Sequence, residues 1–284
     1  SRGRGHIEFL MPAVQPDVAV VTNLGVVHLE TFGTTDQLAD SKFELVEALQ
    51  PGGVAILPVD EPRLLRPHRG ETLTFGLDAT ADIVISDLSV DSGGYPRFVI
   101  AADGDTADIR LPVAGAHQAF NAAAAVGAGL VVGVNLATLA EGLEQATASQ
   151  WRMEIHRGRF AVVNDAYNAN PDSMEAAMRT VAAMPGRHVA VLGTMAELGT
   201  VAESEHLRIG RLAAELGFVA VMTVGDEPGI AKGAGAIGRN VADSAAAHRI
   251  LSGYVQDGDV VLVKASRAVG LEKLAAELAE EATA

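Results

Sequence analysis

FAVVNDAYNANPDSMEAAM, Phe160 to Met178, is the stretch that decides the fold. Phe160–Val163 is an unbroken apolar run, the pattern of a strand buried on both faces. Asn164–Ser173 (NDAYNANPDS) follows as a polar loop, with Pro171 suited to the first turn of a helix over Ser173–Ala183. Strand, loop and helix then recur towards the C-terminus. Further strands are expected at His188–Leu192, Val219–Val224 and Val260–Val263, with helices near Ser204–Leu216, Ser244–Ser252 and Gly270–Ala282. This alternation makes a doubly wound α/β domain with a parallel sheet. Ligands in such sheets sit beyond the carboxyl ends of the strands, so the loops after Val163, Leu192, Val224 and Val263 are where chemistry is sought.

Working back towards the N-terminus, Val18–Thr22 and Val54–Pro58 read as buried strands joined by a helix over Thr35–Leu49. Pro51-Gly52-Gly53 stops that helix, and strand–helix–strand is the unit of a parallel sheet. Between Ala81 and Val113 short alternating runs are broken by Ser92-Gly93-Gly94 and Asp103-Gly104-Asp105, which predicts antiparallel hairpins. Helices resume over Gln118–Val132 and Leu136–Ala148. The helical pattern ends at Ser149-Gln150-Trp151, so the domains are expected at 1–149 and 150–284.

The 284 residues are 49% hydrophobic, with 21 Lys+Arg against 36 Asp+Glu for a net charge of −15. A chain this long buries roughly 75% of its unfolded surface, enough for two ordinary cores. The acidic balance excludes nucleic acid and an anionic membrane face as main partners. Zero Cys excludes disulfides, thiolate metal sites and a Cys nucleophile. With no apolar run of about 18 residues and no signal-peptide core, a soluble cytoplasmic protein is expected.

Three loops concentrate polar groups. In NDAYNANPDS, turn chemistry and a binding site explain the Asn and Asp residues equally well. Lys264 to Gly270 (KASRAVG) places Lys264 and Arg267 at a sheet edge beside a helix N-terminus, where anions are favoured; pairing with local carboxylates is the plainer alternative. Thr22 to Gly33 (TNLGVVHLETFG) carries Asn23, His28 and Glu30, with Lys42 on the following helix. These types suit a hard cation and ordered water, though a lone His beside a Glu is more often an ordinary satisfied side chain. Gly233–Gly238 matches G-x-G-x-x-G but does not leave a strand directly, so it reads as a flexible loop rather than a dinucleotide site. G-x-x-x-x-G-K-[ST] does not occur.

Taken together, RGRGHIEFL, TNLGVVHLETFG, DSKFELVEAL, LPVAGAHQAFNAAAA, WRMEIHRG, DAYNANPDSMEAAM, VAVLGTMAELG and VLVKASRAVGLE resemble the bacterial Mur ligases. They follow the family's order over nearly the whole chain. YNANPDS, MAELG and VKASRA resemble most closely the MurF branch, which joins D-alanyl-D-alanine to UDP-N-acetylmuramoyl-tripeptide. The resemblance implies the later part of a central ATPase domain followed by a Rossmann-like C-terminal α/β domain. The UDP-substrate domain and the P-loop part would lie in a missing N-terminal part of the same protein.

The resemblance also implies residue roles. His28 matches a Mg²⁺-linked histidine, and Lys42 a lysine carbamylated by CO₂ into an oxygen ligand for that metal. Asn121 matches an adenine-side asparagine. Arg152 matches an arginine that reaches the ATP phosphates, and Asp165 an aspartate that contacts the nucleotide. Tyr167, Asn168, Asn170, Lys264, Ser266 and Arg267 match substrate-facing positions. This chain departs from the family at Gln118 (usually Asn), Trp151 (Gly), Ala166 (Ser), Thr194 (acidic) and Ala265 (Gly). The implied activity is ATP- and Mg²⁺-dependent ligation through an acyl phosphate, in the cytoplasm. Without a P-loop, the isolated chain is expected to be inactive. The alternative is a non-catalytic binding remnant of a Mur-type or folylpolyglutamate-type ligase.

Overall fold

The apolar runs read as buried strands are strands in the computed structural model, which describes residues 3–25 and 33–284. The chain forms two α/β units, each with a six-stranded, mostly parallel sheet. The first holds residues up to Ser89, with Pro96–Pro112 and Ala116–Ala146. The second holds Thr147–Ala284, with Val90–Tyr95 and Val113–Gly115.

In the first unit the strands lie side by side in chain order: β1 (Val18–Val20), β2 (Val54–Pro58), β3 (Glu71–Gly76), β4 (Ile83–Val90), β5 (Pro96–Ala102) and β6 (Asp105–Arg110). β1 to β4 pair in parallel and β5 with β6 antiparallel. Thus β4, expected only as a hairpin strand, also extends the parallel sheet through β3. That strand (ETLTFG) was not anticipated, because its exposed first half hides the apolar signal. The two-residue period of a strand sends Ala55 and Leu57 to one face and Ile56 to the other. The first pair joins Phe43 and Val46 of α2 (Thr35–Glu47), while Ile56 meets Ala119, Ala123 and Val126 of α3 (Gln118–Val131). Small residues let α3 lie close to the sheet: a methyl on Gly127 would come 2.9 Å from Ile83 Cδ1. α2 starts where Thr34 accepts a hydrogen bond from Gln37 N. A second helix, α4 (Leu136–Glu144), follows α3.

An unanticipated helix, α1 (His6–Val14), precedes β1 and packs against α2. It has no side-chain cap of its own. The Glu44 carboxylate of α2 instead accepts from Gly5 N (2.6 Å), Ile7 N (3.2 Å) and Glu8 N (3.1 Å). A buried acid thereby satisfies backbone donors that every helix start leaves open, and its charge suits the positive end of the helix dipole.

The second unit has strand order β11-β10-β9-β12-β8-β7, from β7 (Glu154–Arg157), β8 (Ala161–Asn164), β9 (His188–Gly193), β10 (Ala220–Val224), β11 (Gly238–Val241) and β12 (Val260–Lys264). All neighbours are parallel except β7 with β8. The six strands exceed the four expected: β7 is a half-exposed polar edge and β11 is four residues long. In β12, Val260 and Leu262 face α5 (Pro171–Ala182) and α6 (Ala202–Glu215). Val261 and Val263 face α8 (Ser244–Leu251) and α9 (Glu272–Thr283). Apolar residues on both faces make the sheet the centre of a three-layer sandwich.

Gly233–Gly238 is not the flexible loop expected. It runs from the end of α7 (Gly229–Gly233) through a 3₁₀ turn into β11. A side chain at Gly233 would collide with Leu207 O, and one at Gly238 with Ala231 O, so these glycines serve close packing against neighbouring backbone. Among the described residues no helix is long and apolar enough to cross a membrane.

Candidate functional site

β12 enters the second sheet between β9 and β8, so the carboxyl ends of three strands from distant parts of the chain converge. The register pairs Val263 with Asn164, and Asp165 N donates to Val263 O (2.9 Å), which brings Asp165 beside Lys264. Lys264 Nζ lies 2.5 Å from Asp165 Oδ2 and also donates to Asn168 O (2.8 Å). The other carboxylate oxygen accepts from Met153 N (3.1 Å). Both charged groups are buried, so each compensates the other where water cannot.

The polar loop divides between scaffolding and surface. Asn164 Oδ1 accepts from Ala166 N (3.3 Å), and Asn170 forms a reciprocal cap with Ser173 at the start of α5, with Pro171 in its first turn. These two asparagines follow the turn-chemistry reading. Tyr167 and Asn168 have exposed side chains at the loop's crest. Ser266 is buried and stitches loops: its hydroxyl accepts from Ala196 N (2.8 Å) and donates to Ala169 O (3.4 Å), while its N–H donates to Thr194 O (3.2 Å). Gly193 fits beside Ala265, since a methyl there would come 2.6 Å from the Ala265 Cβ. The loop after β9 is held from behind by His206. A backbone N–H only donates and a carbonyl only accepts, so the ring takes Met195 N (2.9 Å) at Nε2 and gives its Nδ1 hydrogen to Ala202 O (2.7 Å).

Two exposed cations of these loops are Arg152 and Arg267. Arg152 Cζ lies 4.0 Å from the centre of the Tyr167 ring, and Arg267 Cζ lies 4.5 Å from the Trp151 ring and 5.6 Å from that of Tyr167. Trp151 O accepts from Tyr167 N (3.1 Å). Trp151 and His206 had not been singled out as site residues from sequence; the departure from Gly at Trp151 was the available signal for the first.

In the first unit, a cavity of about 290 Å³ opens beyond the carboxyl ends of β1 and β2, beside the start of α3. Asn23, Asp60, Glu61, His117, Phe120 and Asn121 line it. The Asn121 amide donates to Gln118 Oε1 (2.9 Å). Lys42 reaches from α2 to the same loop, donating to Asn23 O (2.6 Å) and Leu24 O (2.9 Å). Burial pushes its pKa below the ordinary lysine value of 10.5. His28 and Glu30 lie outside the described residues, among which no group of three or more His, Asp or Glu could hold a metal.

Residues 1–129 match the Mur ligase middle domain, and residues 151–267 match the Mur ligase, glutamate ligase domain. The UDP-N-acetylmuramoyl-tripeptide–D-alanyl-D-alanine ligase of Mycobacterium tuberculosis is 35% identical over 315 residues, which takes in 100% of this chain and 62% of the relative. The chain belongs to the Mur ligase family. The Escherichia coli ligase of the same name is 31% identical, with 99% of this chain and 64% of that one covered. The chain thus spans somewhat over three-fifths of these Mur ligases. Among solved structures, MurF from Acinetobacter baumannii superposes with a TM-score of 0.89 at 29% identity, covering 99% of this chain and 63% of that one. MurF from Thermotoga maritima, in complex with ADP, gives 0.87 at 26%, covering 99% and 65%.

Proposed function

We propose that the protein carrying this chain is an ATP-dependent ligase of peptidoglycan precursor synthesis that joins D-alanyl-D-alanine to UDP-N-acetylmuramoyl-tripeptide. The observation that carries this reading is whole-chain likeness, at 35% identity, to a ligase of that name. Residues 1–149 would be the later part of the central domain and 150–284 the C-terminal domain. A free carboxylate resists attack by an amine, so it must be activated. ATP's γ-phosphoryl passes to the peptide carboxylate, the dipeptide amine attacks the acyl phosphate, and phosphate leaves. Positioning and charge neutralisation dominate such transfers.

In this reading the cavity beside Asn121 takes the adenine end of ATP. Arg152 meets phosphate oxygens, while Tyr167, Asn168 and Arg267 face the dipeptide. Asp165, the residue that would contact the nucleotide, also accepts from Lys264 and Met153 N and so positions the Arg152 turn. Lys264, Ser266 and Asn170 hold the loops that present the exposed groups. Mg²⁺ would be held by His28 and by Lys42 once carbamylated, and when bound it offsets phosphate charge. Lys42 fits that use: its lowered pKa favours the neutral amine that CO₂ requires. Soluble, nucleotide-linked substrates place the reaction in the cytoplasm.

The 284-residue chain has no G-x-x-x-x-G-K-[ST] phosphate loop, so ligation by this chain alone is not expected. Phosphate release with ATP, Mg²⁺ and both substrates tests that, and robust turnover refutes it. Calorimetry tests the substrate assignment. Saturable binding of D-alanyl-D-alanine and none of L-alanyl-L-alanine is expected; preference for a single amino acid over the dipeptide would overturn it.

A further inference from the structure

Trp151 has φ 60 and Met153 φ 52, so two side-chain-bearing residues within three positions occupy the left-handed region. For a bulky residue this conformation costs on the order of 1–2 kcal/mol and persists only where surrounding structure enforces it. Here two hydrogen bonds enforce it, Tyr167 N to Trp151 O and Met153 N to Asp165 Oδ1. The result is a ladder in which indole, guanidinium, phenol and guanidinium alternate: Trp151, Arg267, Tyr167, Arg152. An exposed cation–π contact returns only about 0.5–1 kcal/mol, which does not exceed the strain at Trp151. The ring contacts alone therefore do not account for the turn; the two hydrogen bonds hold it.

Stacking has a chemical consequence. A guanidinium packed by its face keeps its N–H donors at the edge, where they match the two oxygens of a carboxylate or phosphate. The chain has 36 Asp and Glu residues, yet among the described residues neither Arg152 nor Arg267 forms an ion pair. Two exposed arginines held by aromatic rings in a protein of net charge −15 make a local attractor for an oxyanion.

We propose that Trp151 is a positioning residue that, with Tyr167, holds Arg267 and Arg152 as a two-cation clamp for an oxyanion of the substrate. The clamp rests on the ligase reading above, which set Arg152 on phosphate and Arg267 on the dipeptide, and brings both to one oxyanion, the dipeptide carboxylate or a nucleotide phosphate. Without the Trp151 ring only the more distant Tyr167 ring, at 5.6 Å, would face Arg267.

The chain has one Trp, so its emission reports Trp151 alone. D-alanyl-D-alanine, ADP with Mg²⁺, and inorganic phosphate are titrated separately into the 284-residue chain. A saturable change in emission is expected with at least one of them, and Arg267→Ala should alter emission without ligand and remove the response. Trp151→Gly suits the positive φ and so keeps the fold, which thermal unfolding checks. It should weaken the responding ligand about fivefold by calorimetry, while Trp151→Phe restores most of the affinity. Equal affinity in Trp151→Gly and the parent, or no response to any of the three oxyanions, overturns the clamp. A response to phosphate or ADP but no binding of D-alanyl-D-alanine upholds the clamp and removes the dipeptide reading.

Discussion

Two lysines, one in each unit, stand at comparable places beside loops that leave the carboxyl ends of strands, yet they are handled differently. Lys264 is nearly inaccessible and faces a carboxylate at 2.5 Å, with a backbone carbonyl as second acceptor. Lys42 is half-buried and donates to two backbone carbonyls, Asn23 O and Leu24 O. Dipoles offset the loss of water less well than a countercharge, and the Lys42 pKa falls in consequence. Depth alone does not decide how a buried amine behaves; the neighbour supplied to it does. The second unit uses its lysine as a strut, whereas the first keeps an amine that is easily made neutral.

The largest effect that separates the two is expected at the strut. Asp165→Ala leaves the Lys264 charge buried without its partner and should cost about 3–5 kcal/mol in denaturant unfolding, followed by protection of the β8, β9 and β12 amides. Combining Asp165→Leu with Lys264→Met should cost clearly less than the two single changes summed; additive losses would contradict the strut. The next effect lies in the first unit. Glu44→Ala frees three backbone donors at the start of α1 and should cost about 1–2 kcal/mol, seen as faster hydrogen exchange at residues 6–9 with the second unit unchanged.

The smallest effect is expected at Lys42. Lys42→Met loses two hydrogen bonds but also removes a poorly solvated charge, so near neutral pH stability should move by less than about 1 kcal/mol. The pH dependence carries a sign. A lysine with a lowered folded pKa makes the unfolded chain bind more protons, so the parent gains stability relative to Lys42→Met as pH rises towards 10.5. Parallel stability curves across that alkaline window would show that burial does not act on this amine. ¹³C-bicarbonate NMR adds a chemical check: a carbamate resonance lost in Lys42→Arg is expected, and one that survives places the modification elsewhere.

What the sequence made legible follows from how local each signal is. Val54–Pro58 was read without error because an apolar run between breakers needs no distant information. The loops at the strand ends were likewise visible from alternation, and Pro171 and Ser173 marked the start of α5 to within two residues. The polar strands β3 and β7 and the helix α1 stayed hidden, because tertiary partners stabilise them. α1 contains Pro12 and draws its cap from a residue 36 to 39 positions away. In the site, Arg267 was visible from its place at a strand end beside a helix start, whereas Arg152 was found through the resemblance. The inward turn of Asp165 was not, since its partner is 99 residues distant and only the register of β12 against β8 joins them.

That placement of β12 also governs when the C-terminal unit can assemble. β8 and β9 are separated by a slot two strand spacings wide, about 10 Å, which only Val260–Lys264 fills. During synthesis the slot stays open until Val260–Lys264 has left the ribosome, about 70 residues after β9, so this unit completes its sheet in one late, cooperative step rather than growing strand by strand.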